Sequence, residues 1–197
     1  MKLAAIAVTS MLGLAQAGAA QDGFYYGVGL GLTHSSTVSS VVPSFEGTAT
    51  DVSLALTAGY RFASADNLSY GIEGNLDFLG GRTMSDSSFD ACAGISPSWC
   101  EVNTVFRLRG TLTSQLASGS LMTVSLGGVL VQGVSENGPG NNLDTTGNGL
   151  SLGLGWEQQG GAMPMRIDVN YDAIRNDDQP AYDRELDMFG LRVSYMF

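Results

Sequence analysis

The residues of this chain best equipped for chemistry are acids and arginines that recur at spacings of two and four: Glu73 and Asp77, Arg107 and Arg109, and Arg166, Asp168 and Asp172. Such spacing puts side chains on one face of an extended strand. Arg61, Glu101, Glu157 and Arg192 fall on the same parity of their own segments, giving a candidate network of five arginines and six carboxylates. Charges held inside a narrow enclosure must pair or hold water, because an unpaired buried charge is heavily penalised. Counting back from turn and loop centres predicts Glu73 near Arg107 and Glu157 near Arg166. The remaining reactive groups are sparse. Cys92 and Cys100 bracket the stretch CAGISPSWC, and His34 is the only histidine.

The elements that must position these groups are strands. Residues 185–197 place Phe189, Leu191, Val193, Tyr195 and Phe197 on one face and Met188, Gly190, Arg192, Ser194 and Met196 on the other, a period of two carried to the last residue. Eight such segments are predicted, at 24–33, 50–60, 68–78, 101–112, 121–132, 149–156, 165–172 and 188–197. Loops of more than ten residues (34–49, 79–100, 133–148, 173–187) alternate with short turns. Long loops on one rim and tight turns on the other describe an all-β, up-and-down antiparallel barrel with an even number of strands and no open edge.

Residues 1–20 combine Lys2, an apolar run to Leu14 and small residues at Ala17 to Ala20, the pattern of a secretory signal peptide cleaved near Gln21. The run is too short to cross about 30 Å of hydrocarbon. Two domains of function are thus expected, a signal at 1–20 and a barrel at 21–197. Without Lys2, eight arginines face 19 acidic residues, a balance that argues against a nucleic-acid partner.

One face of the segments is apolar, including Leu30, Val52, Leu54, Ile72, Val102, Phe106, Leu108, Leu126, Leu150 and Val169, and carries no ionised residue. The other carries the candidate network, interleaved with Gly27, Gly29, Gly31, Gly71, Gly127, Gly153 and Gly155. A soluble, lipocalin-like barrel would turn the apolar face inward; a membrane barrel inverts it. Three features favour the inversion. The polar face has no lysine and many glycines, which suits a crowded interior. Aromatics collect toward segment ends, as interfacial girdles require. The segment lengths match the roughly 9 to 11 residues of a tilted crossing.

The signal peptide, the early FYYGVGLGLT strand, four long loops and the ending GLRVSYMF resemble the small outer-membrane β-barrels of Gram-negative bacteria, of the OmpA-type transmembrane domain and opacity-like "porin family" kind. The resemblance spans the mature chain and is architectural. It implies an outer-membrane, multi-pass location with the long loops extracellular, contact with outer-membrane lipid and lipopolysaccharide, and a monomer. It also implies that Tyr195 and Phe197 act as the signal read by the outer-membrane assembly machinery.

Within that frame the lumen network predicts a filled, salt-bridged plug that contributes to envelope integrity and surface interaction. A narrow channel for small polar solutes is the alternative. Lipid A-modifying enzymes also occur on such barrels, and His34, Ser35 and Ser36 with Asp86 and Ser87 are the residues a catalytic set would draw on. The charged lumen and the Ser/Thr-rich surroundings argue against it, and no catalytic residue, cofactor or metal is assigned. Two cysteines in an exported chain predict a Cys92–Cys100 disulfide, worth about 2.5 kcal/mol, that holds Trp99 as a presented surface feature.

Overall fold

The computed structural model describes residues 23–39, 45–62, 68–85, 98–136, 142–159, 164–177 and 184–197. The expected signal peptide, Cys92, Asp86 and Ser87 lie outside them. Eight strands run in chain order: β1 (Gly23–Ser39), β2 (Phe45–Phe62), β3 (Leu68–Leu79), β4 (Ser98–Gln115), β5 (Leu121–Glu136), β6 (Asn142–Gln158), β7 (Met165–Asp177) and β8 (Arg184–Met196). Each pairs antiparallel with its sequence neighbour, and β1 pairs with β8 to close the barrel. Closure is completed at the C-terminus. The Phe197 N–H donates to the Tyr26 carbonyl at 2.7 Å, Tyr26 N–H returns the bond at 3.2 Å, and the two rings stack 5.0 Å apart.

The strands are oily side out. Leu30, Val52 and Leu150 are 64, 64 and 67% exposed, while Glu73 and Arg107 are 0 and 1%. Only a solvent of acyl chains makes that arrangement favourable. Phe24, Tyr60, Phe62 and Tyr70 form an outward collar at the short-turn end, and Phe78, Phe106, Tyr171 and Phe189 stand outward further up. From Tyr70 to Phe78 the wall of β3 climbs eight residues, which at about 3.4 Å each and a tilt of about 40° is about 20 Å, close to the apolar band of an outer-membrane barrel.

The strands extend further at the long-loop end than the hydropathy pattern indicates. β1 continues from the expected Thr33 to Ser39, β2 begins at Phe45 rather than Thr50, and β6 begins at Asn142 rather than Gly149. Above the hydrocarbon the outer face no longer has to be apolar, so the alternation fades while backbone pairing persists. A second departure lies in β4, whose register shifts between Trp99 and Glu101 and again between Val102 and Thr104. Each shift inserts an extra residue and changes which side chains face inward. Val102, expected on the outer face, is fully buried in consequence.

Candidate functional site

The lumen is the site. Inward positions of six strands bring five arginines and five carboxylates together across the barrel, all 6% exposed or less. Glu73 on β3 is the most connected. Its carboxylate accepts from Tyr25 Oη on β1 at 2.8 Å, from Arg109 Nη2 on β4 at 3.0 Å and from Arg166 on β7. Arg166 also donates through Nε to Asp168 at 2.8 Å. Arg107 on β4 donates to Asp172 on β7 at 2.6 Å and to Asp77 on β3. Arg192 on β8 spans Asp77 and Asp168, both at 3.3 Å. Near the short-turn mouth Arg61 on β2 pairs with Glu157 on β6 at 2.6 Å, and its guanidinium carbon lies 4.3 Å from the centre of the Tyr25 ring.

Most of these ties join strands that are not wall neighbours. They therefore brace the tube across its diameter, where sheet hydrogen bonds act only around it. Five positive charges face five negative ones, so the network itself carries no net charge; Asp51 on β2, also buried, lies outside it and accepts from the Arg82 N–H. Glycines make the room. A Cβ on Gly155 would lie 2.8 Å from Asp168 Oδ1 and 3.0 Å from Arg166 Nε, and one on Gly153 would meet Arg109 and Asn170.

Buried apolar side chains flank this network at both ends, more of them toward the long loops. Toward the short turns Leu121 and Met196 are buried, opposite Glu157 and Gly27 in the wall's register, alongside the buried hydroxyls of Thr113 and Thr123. Toward the long loops a packed cluster fills the interior, with Ala49, Met84, Trp99, Val102, Val105, Val129, Val131, Ile174, Leu186 and Met188. Hydropathy patterning missed this cluster because Val105, Val129, Val131 and Met188 fall on the parity read as polar, while Ala49, Met84, Trp99, Ile174 and Leu186 fall in stretches expected to be loops. The available signal was the apolar identity of Val129, Val131, Ile174, Leu186 and Met188 at inward positions.

Four expectations are corrected here, in whole or in part. Glu73 sits opposite Arg109, and Arg107 sits opposite Asn75, a shift of two residues. Counting from the loop centre assumes that β3 and β4 leave the loop symmetrically, whereas their last pair is Phe78 with Thr104. Glu157 and Arg166 are register partners, yet their charged ends turn to Arg61 and to Glu73 with Asp168, because long side chains in a narrow tube reach across it. Glu101 is half-buried above the network and accepts the Thr83 hydroxyl at 3.3 Å. Trp99 is also not presented: it is fully buried in the upper cluster, with Cys100 buried beside it. His34 faces outward with Nδ1 3.0 Å from Thr50 Oγ1, whereas Ser35 faces inward and is buried, so this neighbouring pair stands on opposite faces of the wall.

A closed eight-strand barrel, apolar outside and filled by a neutral charge network, defines a transmembrane barrel of the bacterial outer membrane. The profile of the family described as "Outer membrane protein beta-barrel domain" matches residues 3–197, and the chain belongs to that family. Among solved structures it is similar to Ail, the attachment invasion locus protein of Yersinia pestis, in complex with the heparin analogue sucrose octasulfate, at 14% identity and a TM-score of 0.51 over 89% of this chain and 99% of that one. It is likewise similar to Neisserial surface protein A, at 15% identity and a TM-score of 0.50 over 89% and 97% of the two chains. A search of curated proteins by sequence finds no match. Likeness at this identity speaks for the fold alone.

Proposed function

We propose that this protein is a monomeric, non-enzymatic, non-conducting outer-membrane barrel that contributes to envelope integrity and offers its acidic long loops for surface interaction. The observation that carries the reading is the filled lumen: among the described residues a cross-braced network of buried ion pairs spans the bore, with an apolar cluster packed at its long-loop end. An ion entering it would have to break buried pairs and surrender its own hydration. The long loops face the exterior in this reading, because the chain is delivered from the inner side and both Gly23 and Phe197 lie at the short-turn rim. Outer-membrane lipid and lipopolysaccharide meet the outward band, and Tyr195 with Phe197 carries the assembly signal. The polysulfated ligand of the Ail structure does not transfer, since a chain of formal charge −10 repels polyanions.

Planar-bilayer recording tests the reading. Purified barrel inserted into a bilayer is expected to be electrically silent. Steady unitary currents that change when Arg107 or Arg192 is neutralised would replace it with the narrow-channel alternative.

A further inference from the structure

β3 is too short for its place in the wall. Its last partner on β2 is Ser53 and its last on β4 is Thr104, yet β2 continues to Phe45 and β4 to Ser98. The resulting opening lies at the long-loop end, at the level of the upper apolar cluster. Residues 80–85 fill it as a strap. Thr48 and Ser85 exchange both backbone hydrogen bonds, at 3.0 and 3.1 Å, and Met84 N–H donates to the Cys100 carbonyl at 2.7 Å. Arg82 N–H donates to Asp51 Oδ1 at 2.9 Å. Neighbouring strands elsewhere share ten or more paired residues, so the strap is the most lightly tied part of the described wall.

Its composition suits a movable part. The strap begins Gly80–Gly81, and Gly81 adopts φ +65°, where a Cβ would also lie 2.7 Å from Asn103 Oδ1. Met84 is its single apolar side chain, and it is fully buried in the cluster that contains Trp99 and Val102. Both register shifts of β4 fall directly behind it. Within that cluster Trp99 Nε1 is buried with no hydrogen-bond partner among the described residues. Buried donors are nearly always satisfied, and an orphan one calls for a missing acceptor.

We propose that the strap is a displaceable panel and that the space held by Met84 is a lateral binding site for an acyl chain bearing a carbonyl oxygen. Methionine, unbranched and pliable, occupies the volume an alkyl chain would take. When the panel swings about Gly80 and Gly81, the chain enters beside β2 and β4, its methylenes replace Met84 among Val102 and its neighbours, and its carbonyl accepts the Trp99 hydrogen. The same chemistry is offered by the acyl ester of a membrane lipid and by a free fatty acid. Access through the wall needs no open lumen, so the proposal stands apart from whether the barrel conducts.

Quenching by bromine tests it. Trp156→Phe leaves Trp99 as the one indole, and the protein is placed in vesicles of unbrominated lipid with a brominated fatty acid added, or in vesicles of phospholipid brominated along its acyl chains. A second variant adds Thr48→Cys and Ser85→Cys, with the new crosslink verified by peptide mass mapping, to fasten the panel to β2. Trp99 emission is expected to fall about twofold as the ligand shifts the panel to its open state, and to recover in the fastened variant. Quenching by the free acid alone identifies the aqueous source, and quenching by the brominated lipid identifies the membrane. Absence of quenching with both probes, or quenching that persists when the panel is fastened, would overturn the proposal.

Discussion

Replacing Glu73 by glutamine keeps the side chain's shape and removes the charge that Tyr25, Arg109 and Arg166 converge upon. The network then holds five arginines against four carboxylates. Removing one member of a buried ion pair costs about 3–5 kcal/mol, because the partner is left charged in a low-dielectric setting. Arg166 retains Asp168 at 2.7 Å, and the glutamine carbonyl still accepts one hydrogen bond, so the lower end, about 3 kcal/mol, applies to Glu73→Gln. Urea unfolding from lipid vesicles, followed by heat-modifiable gel mobility, reads that loss. Asp187→Asn supplies the contrast: its pair with Arg175 at 2.9 Å lies on the outside, with side chains 38 and 44% exposed, and its loss should cost less than about 1 kcal/mol. Adding Arg109→Met to Glu73→Gln removes the stranded cation, so the double variant should lose less than the sum of the two single losses. Equal, small losses for Glu73→Gln and Asp187→Asn would refute the claim that the network braces the barrel.

Two further outcomes follow from the same geometry. Gly155→Val should destabilise the barrel by about 1–3 kcal/mol in the same urea assay, since its Cβ must push Asp168 and Arg166 apart. Deleting Phe197 removes two backbone bonds and a stacked ring at the β1–β8 seam; if the residue is also an assembly signal, outer-membrane levels in cells should fall well beyond any loss of refolding yield into pure lipid vesicles, and parallel losses in the two measurements would leave it a purely structural residue.

The number of strands, their order and the choice of outer face were all legible in the residues. Alternation in 185–197 and seven other segments identifies strands because a pleat has a period of two. A glycine-rich, lysine-free polar face identifies an interior because arginines need space opposite them. Strand ends were less legible: beyond Thr33 the outer positions meet water, and His34, Ser36 and Thr50 carry no apolar mark. The fate of Trp99 was illegible. Its exposure depends on two register shifts in β4 and on a strap arriving from β3, neither of which leaves a periodic trace.

The charges divide in the same way. Local spacing determined that Glu73, Asp77, Arg107, Arg109, Arg166, Asp168 and Asp172 would face inward, since parity along one strand is a property of consecutive residues. Which acid holds which arginine was decided by the closed tube. There Arg61 meets Glu157 across 96 positions of chain and Arg192 meets Asp77 across 115. Such partners are chosen by the barrel's stagger and bore, through which a guanidinium reaches the far wall, and no stretch of sequence encodes that distance alone.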